Sequence, residues 1–304
     1  MYGHEFKELR LEQGITQKEA CRGICSESKL SRWENDQVEV EFSTAMNLLN
    51  RIHITSHEFM GWSKFSPRPE IDPELSEAIE KENIPFLKRV TQKQLTKYHK
   101  NHNKFDLFMA ANLCNQLFII EHKNYLPPID QKKLFAIFSK VNLWSQYYIS
   151  AFGASIFLFN PKQIYGSSMQ IIRNIDRLKE AETSFNLEII MGSLSDGILR
   201  LISLNELSYA QKLVKELKKI ELPQYLMFFT LTLTYLQKAI DYMKNSDDKP
   251  ILTLISEVLD LGCSVQATTY LDMFKYLKAQ RKNTIFNIAS TFLFKQSQYI
   301  VTIT

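Results

Sequence analysis

Between residues 26 and 34 the chain reads Ser-Glu-Ser-Lys-Leu-Ser-Arg-Trp-Glu, a run whose residue types and spacing could do chemistry. Ser26 is a good helix cap, and Leu30 and Trp33, three residues apart, share an inward helical face. Glu27, Ser28, Lys29 and Arg32 are left facing outward on the same helix. Such a row suits the base edges of a DNA major groove. Arg32 and Lys29 can donate to guanine acceptors, Ser28 can pair with either class of base, and Glu27 can accept from a cytosine amine.

Other reactive types nearby are arranged less productively. Cys21 and Cys25 stand four apart; Cys21 falls where a small buried residue is needed and reads as an inert core thiol, whereas Cys25 lies in a turn. His53 and His57 flank the Ile54-Thr55-Ser56 turn with no carboxylate or thiol at matching spacing, so no metal is expected. The chain has neither a Gly-rich phosphate loop, a Gly-x-Ser-x-Gly turn nor a His-Glu-x-x-His pair. It reads as a non-enzyme that needs no cofactor.

The elements that must position the 26–34 run are short helices. Phe6 and Leu9 form the apolar face of a helix ending at Gly14. Thr16 caps a second helix, with Glu19 three residues on completing a capping box, and that helix runs out at Gly23. Ala45, Leu48, Leu49 and Ile52 make a fourth helix, and Ser56 is expected to cap a last turn holding Phe59. Five short helices with a tight turn between the second and third is the helix-turn-helix layout.

Beyond it the chain changes. Pro67, Pro69 and Pro73 mark a linker over 67–73, dividing residues 1–66 from a long helical region, 74–304. Helices are expected near 73–82, 84–100, 104–121, 130–142, 144–159, 161–179, 186–203, 206–219, 222–243, 247–261, 265–281 and 284–297. Gaps of a few residues favour antiparallel neighbours, and a dozen such helices suggest an α-solenoid of degenerate tetratricopeptide-like pairs, although no strict period repeats. The fold class is therefore all-α. With only 9 Gly, 9 Pro and four Cys in 304 residues, a collagen-like, disordered or disulfide-scaffold chain is excluded.

Charge does not simply favour a polyanion. Residues 1–66 hold eight Lys/Arg against ten Asp/Glu, a net −2, while the remainder carries +6. Any DNA contact by the first domain must rest on where its charges sit. No segment resembles a signal peptide, and the most apolar run, Tyr147 to Phe159, is far shorter than the roughly 20 residues of a membrane span, so a cytoplasmic protein is expected.

The string Arg10-x3-Gly14-Ile15-Thr16-Gln17, followed by Ser28-x-Leu30-Ser31-Arg32-Trp33-Glu34, resembles the phage-repressor (Xre/Cro) helix-turn-helix. With an all-helical C-terminal region of this length it resembles more narrowly the Rgg/MutR regulators, Gram-positive transcription factors of the peptide-sensing RNPP group. The resemblance implies that Gln17 holds the DNA backbone and that Arg10 pairs with Glu34 to lock two helices. It also implies a dimer reading paired half-sites on double-stranded promoter DNA. A cysteine that cross-links some relatives beside the fourth helix is replaced here by Phe42.

A short signalling peptide is the expected ligand of the solenoid, acting in quorum sensing; a metabolite or a protein partner is the alternative. A peptide backbone needs polar partners on an otherwise apolar wall. Asn112 and Gln116, Tyr147, Arg173, Asn174 and Arg200 interrupt apolar helices in that way, whereas Phe157, Phe159, Phe228 and Phe229 read as core. By position, 265–281 and 284–297 are the expected dimer surface.

Overall fold

The computed structural model describes residues 2–62, 72–176 and 184–281. The chain separates into two compact units, Met1–Glu70 and Ile71–Thr304. Residues 67–71 of the expected linker, residues 177–179 and the whole 284–297 helix lie outside the described residues, and the helix expected over 161–179 ends at Arg173 with Asn174 as its C-cap.

In the first unit α1 (Gly3–Glu12), α2 (Gln17–Cys21), α3 (Glu27–Glu34), α4 (Phe42–Arg51) and α5 (Ser56–Trp62) surround a small core. Phe6, Ala20, Cys21, Leu30, Trp33, Leu48, Leu49, Ile52, Ile54 and Phe59 fill it, with the Phe6 and Trp33 rings 5.0 Å apart. Thr16 accepts the Glu19 N–H while Glu19 accepts the Thr16 N–H, so two donors left over at the helix start are satisfied reciprocally. One cap differs from expectation. Thr55, not Ser56, takes the Glu58 N–H, and the Glu58 carboxylate returns to the Thr55 N–H at 2.8 Å. The Thr-x-x-Glu box places the cap one residue earlier because only that register offers a carboxylate at the third helical position. Gly3 meets α3 so closely that a Cβ there would fall 1.8 Å from the Trp33 carbonyl oxygen.

The second unit is an α-solenoid of consecutive, packed helices. Among the described residues these are α6 (Pro73–Glu80), α7 (Ile84–Asn101), α8 (Lys104–Glu121), α9 (Pro128–Phe138), α10 (Gln146–Gly153), α11 (Pro161–Arg173), α12 (Ser184–Ser203), α13 (Leu207–Leu217), α14 (Met227–Asn245), α15 (Lys249–Asp260) and α16 (Ser264–Arg281). Five starts use proline: Pro73, Pro85, Pro128, Pro161 and Pro250 stand in first turns, where a missing N–H costs nothing. α12 runs through the middle, touching α10, α11, α13, α14 and α16. Its Ile190, Met191, Leu194, Ile198, Leu201 and Ile202 are buried in the main core.

The structure corrects several bounds. The helix expected over 144–159 stops at Gly153, and a short 3-10 turn follows at Ile156–Leu158. The break has a partner, since the Phe157 N–H that no helix carbonyl receives donates to Asn115 Oδ1 at 2.9 Å. The 130–142 helix instead spans Pro128–Phe138, and the 222–243 helix opens with a 3-10 turn at Gln224–Leu226 before α14.

Candidate nucleic-acid interface and aromatic-stacked arginine

Ser26 accepts the Lys29 N–H at 3.2 Å and so starts α3 at the residue the sequence marks. Leu30 and Trp33 point into the core, and Glu27, Ser28, Lys29 and Arg32 are exposed. Lys29 and Arg32 are drawn into no ion pair among the described residues, which leaves both cations available to a ligand.

Beneath them lies a buried polar lock. Arg10 Nε donates to Glu34 Oε1 at 2.7 Å and Arg10 Nη2 to Oε2 at 2.8 Å, with Arg10 4% and Glu34 0% exposed. Arg10 Nη1 also donates to the Ile15 carbonyl at 2.6 Å. Planar guanidinium and carboxylate match in this two-bond geometry, and the pair ties α1 to α3. Gln17 joins it, its Nε2 donating to Glu34 Oε2 at 2.7 Å. The half-buried Gln17 amide thus has one N–H spent inside the protein and its carbonyl and second N–H left at the start of α2.

Cys21 is buried and Cys25 half-buried, and burial pushes the Cys25 thiol above its ordinary range, which disfavours the reactive thiolate. No group of three His, Cys, Asp or Glu with metal-binding geometry occurs among the described residues.

The six candidates in the second unit do not converge on one place. Asn112 and Gln116 are buried and bonded to each other at 3.1 Å, leaving Gln116 Oε1 without a partner. Tyr147 is half-buried against Phe105, Phe108 and Tyr148, and burial raises its phenol to about 12. Arg173 is exposed at the end of α11, and the Asn174 amide folds back onto the Gln170 carbonyl at 2.8 Å.

Arg200 has a different setting. Its guanidinium lies 5.3 Å from the Phe118 ring centroid and 4.8 Å from that of Phe157, so α8, the 3-10 turn and α12 meet around one cation. Burial lowers the Arg200 pKa and the electrostatic influence of Tyr276 on α16 opposes that shift; Arg200 Nη1 donates to Ser203 Oγ at 3.4 Å, and Nε has no partner. One turn earlier on the same helix Asp196 is buried, forms no ion pair with Arg200, and has a carboxyl pushed well above its usual range by desolvation. Phe118, Asn115, Phe157, Asp196 and Tyr276 were not among the sequence-derived candidates. Ser193, Asp196, Arg200 and Ser203 nevertheless recur at three- and four-residue spacing along an otherwise apolar helix, and that polar stripe was the available signal.

Among the described residues no helix is long and apolar enough to cross a membrane. The model of a helix-turn-helix family matches residues 6–59, and the model described as the C-terminal domain of the HTH-type transcriptional regulator Rgg matches residues 88–272. No curated protein matches the chain. Among solved structures, the SHP pheromone receptor Rgg2 of Streptococcus dysgalactiae aligns at 15% identity over 90% of this chain and 99% of its own, with a TM-score of 0.69. A protein of Listeria monocytogenes EGD-e described as a transcriptional regulator aligns at 18% identity over 93% and 99%, with a TM-score of 0.71. A bacterial peptide pheromone/receptor complex aligns at 12% identity over 91% and 98%, with a TM-score of 0.63. At such identities the likeness shows a shared fold. The Rgg match by itself spans more than half of the sequence, and the chain belongs to the Rgg family of helix-turn-helix transcriptional regulators.

Proposed function

We propose that this regulator works as a cytoplasmic homodimer that reads paired half-sites on promoter DNA through α3 and answers a short signalling peptide held in the second unit. The observation that carries the DNA reading is the outward row Glu27, Ser28, Lys29 and Arg32, raised on a helix whose only buried acid, Glu34, is already bonded. Major-groove readout needs unpaired donors at the start of a fixed helix, and this arrangement supplies them. Gln17 would add a backbone contact through the half of its amide that Glu34 does not use.

For the ligand, two kinds of support coincide. Of the similar structures, one is of a pheromone receptor and another of a peptide pheromone/receptor complex. In this chain the half-buried Arg200, whose Nε has no partner, lies between the Phe118 and Phe157 rings, and the buried Asp196 stands one turn earlier on the same helix. A peptide supplies both carbonyls for the guanidinium and N–H groups for the carboxyl, with apolar side chains for the rings.

The test is selection of operators from a random duplex library, followed by Arg32→Ala. Loss of about 1–3 kcal/mol in binding, with relaxed base preference at one position, is expected. Unchanged affinity and preference would remove Arg32 from the readout. Calorimetry with pooled apolar octapeptides, and separately with a metabolite pool, tests the ligand class. Heat from the peptide pool that Arg200→Gln abolishes supports the peptide reading, and heat from the metabolite pool alone ends it.

A further inference from the structure

The charged residues of α7 are all of one sign. Its 18 residues, Ile84–Asn101, contain no Asp or Glu and hold Lys88, Arg89, Lys93, Lys97 and Lys100. Its inner face is Leu87, Thr91, Leu95 and Tyr98, all buried. Two of the five cations are neutralised from α8, Lys88 by Glu121 and Lys97 by Asp106, each at 2.8 Å. Arg89, Lys93 and Lys100 are exposed and have no acid partner among the described residues. At about 100° per residue these three fall within roughly 40° of one line, and they span about 16 Å along the axis. The exposed Gln92 and Thr96 flank that line.

Arg89 also lies over the Phe86 ring, 5.1 Å from its centroid, and a row of three cations with no acid partner among the described residues is complementary to a polyanion of regular spacing. We infer that the outer face of α7, through Arg89, Lys93 and Lys100, is a second contact surface for the phosphate backbone of duplex DNA, separate from the base-reading face of α3. The charge distribution supports DNA as the occupant. Counterion release by Lys and Arg provides most of the sequence-independent affinity of a DNA-binding protein. Residues 1–66 carry a net −2, so the unit that reads bases is poorly supplied for that task, whereas the rest of the chain carries +6. A surface that only holds phosphate contributes affinity and register and no base preference. This inference rests on the chain's being a DNA-binding regulator, and its test keeps the two claims apart.

Full-length protein and the triple variant R89Q/K93Q/K100Q are titrated with a 40-bp mixed-sequence duplex and with a duplex carrying a selected operator, at several salt concentrations. Each lost phosphate contact should make the slope of log K against log salt less negative by about 0.9, so a change of about 2–3 is expected. At low salt that corresponds to a loss of binding common to both duplexes, with their ratio unchanged. As a second readout on the unaltered protein, Lys93 and Lys100 should be protected from amine acetylation by the 40-bp duplex while Lys215 on α13 is not. A slope and affinity equal to wild type, or acetylation of Lys93 and Lys100 unaffected by DNA, overturns the inference while leaving the α3 reading intact. Failure of the unaltered protein to bind either duplex overturns both.

Discussion

Glu34 Oε2 accepts from two partners on different helices, Arg10 Nη2 at 2.8 Å and Gln17 Nε2 at 2.7 Å. One carboxylate oxygen therefore joins α1 and α2 to the end of α3, and the reading helix is held from behind by the residue that closes it. Gln17, expected to touch DNA, is positioned by a carboxylate that is itself fully buried.

Removing the charge at the centre of this lock should loosen the whole first unit. Glu34→Gln leaves Arg10 buried without its counter-ion, a change that costs about 3–5 kcal/mol in comparable buried pairs. Native-state hydrogen exchange should show lost protection at the α1 and α3 amides, with the α8 and α12 amides unchanged. Protection equal to wild type in α1 would show that the pair is dispensable.

Gly3 offers a second route to the same element without touching a polar group. Its missing Cβ would stand 1.8 Å from the Trp33 carbonyl oxygen and 2.9 Å from the Glu34 nitrogen, both backbone atoms that cannot swing aside. Gly3→Ala should push α1 away from α3 and cost about 1–3 kcal/mol or more, as overpacking does. The same exchange experiment reads it; Gly61→Ala, where a Cβ meets nothing within 4 Å, is the control.

Gln17 and Arg32 should fail in different ways. Gln17→Ala is expected to weaken all duplexes alike, because a backbone contact carries no sequence information, and Arg32→Ala to weaken the preferred one most. Binding of both variants to matched and single-base-changed operators checks this. A preference altered by Gln17→Ala would place Gln17 among the base readers.

Asp196 makes the stability of the second unit depend on pH in a known direction. Its folded-state pKa is raised above the unfolded value, so the folded form holds a proton that the unfolded chain gives up once pH passes about 4. Stability is then lost as pH rises from that point towards the raised folded-state value. Thermal melting across pH 4–8 should show Asp196→Asn more stable than wild type at neutral pH, with the difference shrinking as pH falls. A difference that grows on acidification would mean that Asp196 is ionised and paired.

The helical class, the helix-turn-helix and most helix starts were legible in the chain because their causes are local. Thr16 and Glu19 cap each other within one turn, Ser26 precedes its own helix, and Pro73, Pro85, Pro128, Pro161 and Pro250 open the helices in which they stand. The outward position of Ser28, Lys29 and Arg32 follows from 3.6-residue periodicity once Leu30 and Trp33 are assigned to the core. Locality also explains the errors. Thr55 outcompetes Ser56 through a carboxylate three residues on, and the helix after Gln146 ends at Gly153 because Asn115, distant in sequence, takes the Phe157 N–H.

What the chain order could not convey is which polar groups meet. Asn112, Gln116, Tyr147, Arg173, Asn174 and Arg200 look alike as interruptions of apolar helices, yet only Arg200 is clasped by rings from two other elements. Phe157 read as an ordinary core residue, and Phe118 and Asp196 drew no attention, because burial and contact are properties of the packed chain. Local hydrogen bonds and periodicity act within a few residues and so are written in the sequence; desolvation and contact between helices 40 or 80 residues apart arise only when α8, the 3-10 turn and α12 are brought together.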